Sequence, residues 1–253
     1  LEWGFGMIGN HDRAIHLCTL FLKDLCDFIN QTIDPRFELI RYAESLCLRL
    51  PEFGPLQKEL EKPHSLIDKL MLDIFARRIE ESKPDLVAFT IPFPGNLYSG
   101  LRCAQWIRIN FPSTKIAMGG GYVNTELRSL SDPAIFNYTD YLLYDDGELP
   151  LELVITRSLQ KQANDDAEFK RTFLLENGNV TYKNNSKRHD YKQSEIGTPD
   201  YSDLKLDQYI SVIEVANPMH SLWSDGRWNK LTMAHGCYWG KCTFCDISLD
   251  YIK

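Results

Sequence analysis

Residues 85–93 read DLVAFTIPF, a near-continuous apolar run with Pro84 before it and Pro94 and Gly95 after it. An apolar run this short, bounded by turn residues, predicts a strand covered on both faces, as the strands of a parallel sheet are. A helical stripe of Leu66, Ile67, Leu70, Met71, Ile74, Phe75 and Ile79 precedes it, ended by Lys83 and Pro84. After it come a helix expected over 98–110, the strand KIAM at 115–118 and the triplet Gly119, Gly120, Gly121. A short helical piece, the strand DYLLY at 140–144, the turn Asp145-Asp146-Gly147-Glu148 and a helix opening at about Leu149 complete the series. Strands and helices alternating through short links predict an α/β layer with a doubly wound parallel sheet. Ligands of such sheets sit beyond the carboxyl ends of the strands, which here carry Thr90, the glycine triplet and the Asp146, Gly147, Glu148 turn. No leading strand opens the chain, so its natural N-terminus is expected to be missing.

The flanks read differently. Ile15, Cys18, Phe21, Leu22, Leu25, Phe28 and Ile29 recur every three to four residues and predict an amphipathic helix with one apolar face. FELIRY at 37–42 predicts a short strand, with helix open as the alternative. After about residue 156 the chain turns polar. It then gives FLLENGNVTY, where Asn177 and Gly178 separate two apolar arms and predict a hairpin. Residues 183–194 read as too polar to pack and predict a loop or linker. The expected domains are 1–160, a linker with its hairpin over 161–225, and the start of a further domain over 226–253. Repeats and low-complexity tracts are absent.

The charge balance is acidic, 28 basic against 35 acidic side chains for a net −7, which excludes a general nucleic-acid coat. No segment approaches the roughly 18 apolar residues of a membrane span and no secretory layout opens the chain, so a cytoplasmic protein is expected. Of seven cysteines, Cys18, Cys26, Cys47 and Cys103 stand singly in apolar or helical surroundings and read as small hydrophobes. Cys237, Cys242 and Cys245 fall within nine residues, a spacing suited to metal ligation. Three close thiolates call for a soft cation. A structural zinc would need His235 as its fourth ligand. A four-iron cluster would instead keep one iron open for a small molecule. Tyr238, Trp239 and Phe244 among the thiols suit the shielding of a redox centre or, more plainly, core packing. His64 and His220 read as surface or packing histidines, and Tyr209, Trp223 and Trp228 as a hydrophobic patch near the linker.

GCYWGKCTFC resembles the cluster-binding loop of the radical S-adenosylmethionine superfamily, with an aromatic residue before the third cysteine. The gap between the first two cysteines is four residues where three is usual, and the longer gap with a Trp-Gly pair resembles cobalamin-associated branches. PDLVAFTIPFPGN, KIAMGGGY and DYLLYDDGELPL resemble, in order and spacing, the cobalamin-binding domain that precedes the barrel in such enzymes, and TPDYSDLKLDQYI the segment that joins the two. The resemblance runs over about 64–253.

It implies a flavodoxin-like or Rossmann-like sheet of the cobalamin-binding type, then the first strand and loop of a truncated (β/α) barrel. It further implies a [4Fe-4S] cluster on Cys237, Cys242 and Cys245, S-adenosylmethionine on the open iron, and the backbone around Phe244 facing the adenine. The nucleotide tail of cobalamin would meet Thr90, Gly119, Gly120 and Gly121, with Asp146, Gly147 and Glu148 beside it, because glycine permits close backbone approach. The alternative for the triplet is a plain strand-to-helix turn. An Asp-x-His-x-x-Gly loop, which supplies a histidine below cobalt in many such domains, is absent, and His11 and His16 stand in the wrong context. The implied reaction is reductive cleavage of S-adenosylmethionine to start radical chemistry, possible methyl transfer included, on an unknown substrate with a flavodoxin or ferredoxin as electron donor. A whole barrel needs about 200 residues or more. Only eight follow Cys245, so the fragment alone is expected to be inactive. The rival expectation is a zinc-stabilised flavodoxin-like binding or regulatory module without catalysis.

Overall fold

In the computed structural model the described residues are 6–38, 43, 53–128, 132–160, 167–202 and 239. Of these, the segment through Pro35 and residues 197–202 belong to one compact unit, and 36–196 to another. The first unit holds the helix α1 (Gly6–Thr32). It is longer than the predicted segment, and the predicted apolar face is only partly covered: Cys18, Leu22 and Ile29 are half-buried while Phe21, Leu25 and Phe28 are exposed. The strand expected at 37–42 lies mostly outside the described residues; Phe37 and Glu38 have no regular structure.

The second unit is an α/β layer. Its elements are α2 (Gly54–Glu61), α3 (Leu66–Ser82), β1 (Leu86–Thr90), α4 (Pro94–Asn110), β2 (Lys115–Gly119) and α5 (Gly121–Thr125). A 3-10 turn (Pro133–Asn137), β3 (Tyr141–Leu143), α6 (Glu148–Gln160), β4 (Thr172–Glu176) and β5 (Asn179–Lys183) follow. α3 starts on a reciprocal cap, Ser65 Oγ accepting from Asp68 N while the Asp68 carboxylate accepts from Ser65 N. It stops at Lys83, whose left-handed φ of 44° ends the helix before Pro84. α4 begins earlier than predicted, because Pro94 lies in its first turn, where the missing N–H costs nothing.

β1, β2 and β3 pair in parallel, with Thr90 opposite Gly119 and Met118 opposite Leu142. The sheet continues through β4 and β5, both antiparallel, in the order β1-β2-β3-β4-β5. A wholly parallel, doubly wound sheet is therefore corrected to a mixed one whose described strands run in sequence order. The cause is the hairpin: a two-residue link can join only antiparallel neighbours. Asn177 and Gly178 make it, at φ 52° and 79°, and β4 lies beside β3 instead of standing in a linker.

Helices cover both faces. On one, Ile116, Met118, Leu142 and Tyr144 pack with Leu97, Leu101, Ala104 and Ile107 of α4. On the other, Ala117, Tyr141 and Leu143 pack with Val154 of α6, Phe169 and Leu174, and Leu86 leans on this cluster. By strand alternation Ala88 and Thr90 share the face of Leu86, yet both are exposed. The expectation that β1 is covered on both faces is thus corrected: the carboxyl half of one face is open.

α3 buries only part of its predicted stripe. Ile79 is buried and Ile67, Met71 and Phe75 are half-buried, while Leu66, Leu70 and Ile74 are exposed and Asp68 and Leu72 join the inward side. A buried acid accompanies this shift of the face. Asp68 Oδ2 accepts from the Tyr98 hydroxyl at 3.1 Å and lies 3.5 Å from Arg102 Nε. Arg102, 1% exposed, donates Nη1 to Leu60 O at 2.6 Å and Nη2 to Glu59 O and Lys62 O at 3.1 Å. One guanidinium on α4 thereby satisfies the open carbonyls at the end of α2 and neutralises an acid on α3. Cys103 beside it is buried as expected, and burial pushes its thiol up to about 12, which keeps it inert. Cys18 and Cys26 are half-buried, and Cys47 lies outside the described residues.

Candidate functional site

Parallel pairing brings Thr90, the glycine triplet and the 145–148 turn to one edge of the sheet, the edge where the carboxyl ends lie. Thr90 and Gly121 are exposed there, Gly119 and Gly120 half-buried. The glycines serve the chain's own backbone first. Ile91 N donates to Gly119 O at 2.7 Å, and Tyr122 N to Ile91 O at 3.0 Å, so the β1 and β2 loops are stitched together. A Cβ on Gly120 would stand 2.9 Å from both Ile91 N and Ile91 O, at a φ of +104°. On Gly121 it would approach Pro92 O to 3.3 Å, and on Gly119 Leu143 O to 3.3 Å. The strand-to-helix turn therefore accounts for all three glycines by close approach between neighbouring loops. What remains open at this edge is the exposed pair Ala88 and Thr90, with Gly119 beside Thr90 in register.

The turn after β3 is held by charge. Asp145 adopts φ 62°, its N–H donates to Asn124 Oδ1 at 2.8 Å, and its carboxylate pairs with Arg128 and, at 3.6 Å, with Arg171. Arg171 donates Nε to Tyr144 O at 3.2 Å and Nη2 to Asp146 O at 2.8 Å, and forks onto Asp190 at 2.8 and 2.6 Å. Tyr144 beneath the turn donates its hydroxyl to Leu127 O at 2.8 Å, and burial pushes its ionisation well above the ordinary range. Gly147 and Glu148 are exposed, and a Cβ on Gly147 would meet nothing within 4 Å. The acid that holds this turn is Asp145, next to Asp146, Gly147 and Glu148, the candidates for ligand contact beside the glycine triplet. No local pattern marks Arg171 or Asp190, since both act on a turn far upstream.

The segment after β5 is a largely exposed loop, as its polarity predicts, but it is pinned to the layer at a few points. Ser186 is buried, its N–H donating to Phe169 O at 3.0 Å and its Oγ bonding Glu168 at 2.9 Å. Arg188 forks onto Glu152 of α6 at 2.8 and 3.2 Å. Side-chain hydrogen bonds replace the apolar contacts that the composition lacks. The hydrogen bonds from Arg171, outweighing partial burial, hold the Asp190 carboxyl below the usual range. A depressed folded value means that the contribution is present above the unfolded value of about 4 and is lost as pH falls through the folded one. Chemical denaturation followed from neutral pH down to about pH 3 should show Asp190→Asn losing less stability than the parent over that window. Equal losses in the two proteins would contradict this assignment.

Cys237, Cys242, Cys245, His235 and Phe244 lie outside the described residues, as do Tyr209, His220, Trp223 and Trp228. Trp239 of the same loop is described and exposed, His64 is exposed, and His16 is half-buried on α1. Among the described residues no group of three His, Cys, Asp or Glu is placed to hold a metal ion, and no helix is long and apolar enough to cross a membrane. Comparison with family models, curated proteins and solved structures finds no match to this chain.

Proposed function

We propose that this chain is part of a cobalamin-dependent type of radical S-adenosylmethionine enzyme. In this reading Cys237, Cys242 and Cys245 hold a [4Fe-4S] cluster, and the carboxyl edge of the sheet takes the nucleotide tail of cobalamin. The observation that carries it is the thiol trio Cys-x4-Cys-x2-Cys with its aromatic neighbours. The geometry of the sheet edge fits the second group. A flat, partly apolar tail needs a floor without bulky side chains, and Ala88, Thr90 and Gly119 offer one. The Thr90 hydroxyl at its rim can donate to or accept from a polar tail atom.

The chemistry such a cluster supplies when bound is one-electron reduction of the sulfonium of S-adenosylmethionine, which needs an outside donor such as a flavodoxin or ferredoxin. The chain's own part is to hold three irons, leave the fourth accessible and keep the loop dry through Tyr238 and Phe244.

Two measurements test the reading. Anaerobic reconstitution followed by iron and sulfide analysis should give about four of each per chain in the parent, and Cys242→Ala should lose most of both. Tightly held zinc without iron overturns it. Titration with hydroxocobalamin should shift the visible spectrum of the parent, and Thr90→Trp, an exposed position, should weaken binding by about tenfold or more. An unchanged spectrum in the parent removes cobalamin from the reading.

A further inference from the structure

At the opposite, amino-terminal edge of the sheet lies a cleft of about 640 Å³. From its position we infer that it binds a phosphorylated small molecule with a flat ring, of the nucleoside monophosphate class, independently of the reading above. Among the described residues its walls come from the links before β1 and β2, the first residues of β2 and β3, and a helix: Lys83 and Asp85 before β1, Phe111 and Ser113 before β2, Lys115 and Tyr141 at the starts of β2 and β3, and Arg157 on α6.

Charge is the first argument. The chain as a whole carries −7, yet this cleft gathers Lys83, Lys115 and Arg157 against Asp85 alone. Part of that excess answers the helix ends, because α3, α4 and α6 all finish at this edge and their last carbonyls favour cations. α4 already has its cation in Arg108, which is committed to Asp140 at 2.9 Å, and Lys115 shares the same carboxylate at 3.1 Å. Lys83 and Arg157 have no carboxylate partner among the described residues. Two cations from separate elements facing one cavity, with the Ser113 hydroxyl at its rim, suit a phosphate better than a single carbonyl end does.

Shape is the second. A bare phosphate would leave most of this volume empty, whereas clefts of about 300–1,000 Å³ hold ligands with a ring system. The half-buried ring of Phe111 is held by Trp106 at 5.7 Å, and the Tyr141 ring, 8% exposed, packs on Phe169 at 6.2 Å. The Arg157 guanidinium lies over the Phe169 ring at 5.2 Å, so its stem is positioned while its outer N–H groups remain available.

Calorimetric titration of the whole chain with AMP, adenosine and inorganic phosphate tests the assignment. AMP should bind, and adenosine and phosphate should each bind at least about tenfold more weakly. Lys83→Gln with Arg157→Gln should weaken AMP by about tenfold or more, while Lys187→Gln, an exposed lysine that does not line the cleft, should leave it unchanged. A melting curve of each variant without ligand separates loss of fold from loss of affinity, and Arg157→Lys should restore part of the binding if charge is what matters. The inference is overturned if AMP shows no heat at about 5 mM, if adenosine matches AMP, or if the double variant and Lys187→Gln behave alike.

Discussion

Arg102→Met should lower the unfolding free energy by about 3–5 kcal/mol at neutral pH, the largest single effect expected in this chain. Removing the guanidinium leaves Asp68, at 0% exposure, with only Arg36 Nη2 at 3.9 Å as a cation, and takes one donor each from the carbonyls of Glu59, Leu60 and Lys62. The acid retains the Ser65 N–H and the Tyr98 hydroxyl, which limits the damage without removing it. Arg102→Lys keeps the charge but cannot reach three carbonyls in a fork, so it should lose about half as much. The double change Arg102→Met with Asp68→Leu should recover part of the loss, because no charge is then buried unpaired, although the reciprocal cap of α3 goes with it at about 1 kcal/mol. Urea unfolding of the parent, Arg102→Met, Asp68→Leu and the double variant measures the coupling directly. A loss below about 1 kcal/mol in Arg102→Met would mean that the buried pair does not hold α2 and α3 to α4.

Gly120→Ala should cost about 3 kcal/mol or more, from two causes that add. At φ +104° and ψ 178° the backbone sits in a region that only glycine enters freely, worth about 1–3 kcal/mol by itself. The new methyl would also lie 2.9 Å from Ile91 N and O, backbone atoms fixed by hydrogen bonds to Gly119 and Tyr122, so relief requires parting the two loops. Gly147→Ala is the contrast: open space surrounds it, and thermal melting should place it within about 0.5 kcal/mol of the parent. If the two variants melt together, close approach is not what requires glycine at the β2 loop.

These contrasts also show where sequence reasoning reached its limit. The glycine triplet is legible at a strand end, with a ligand or a plain turn as its reason, and the Ile91 backbone beside Gly120 is what makes the turn sufficient there. The stripe over 66–79 includes the inward residues Ile67, Met71, Phe75 and Ile79 but also the exposed Leu66, Leu70 and Ile74, and it leaves out Asp68, since an apolar count cannot weigh a buried acid whose partner sits on another helix. The structural part of Asp145 is not legible, because Arg171 becomes a neighbour only once β4 lies beside β3.

What the sequence by itself determined is local and short in reach: the stop at Lys83, the Asn177-Gly178 turn, and the strands with three carboxyl ends at one edge. Each depends on dihedral preference or on contacts within a few residues, and those are written in consecutive letters. Tertiary structure alone decided which face of β1 stays open, that the hairpin completes a mixed sheet, where a polar loop is pinned, and that Arg102 and Arg171 bind distant carbonyls and acids. Such pairings gain their energy between segments far apart in the chain, in surroundings that exist only once water has been excluded.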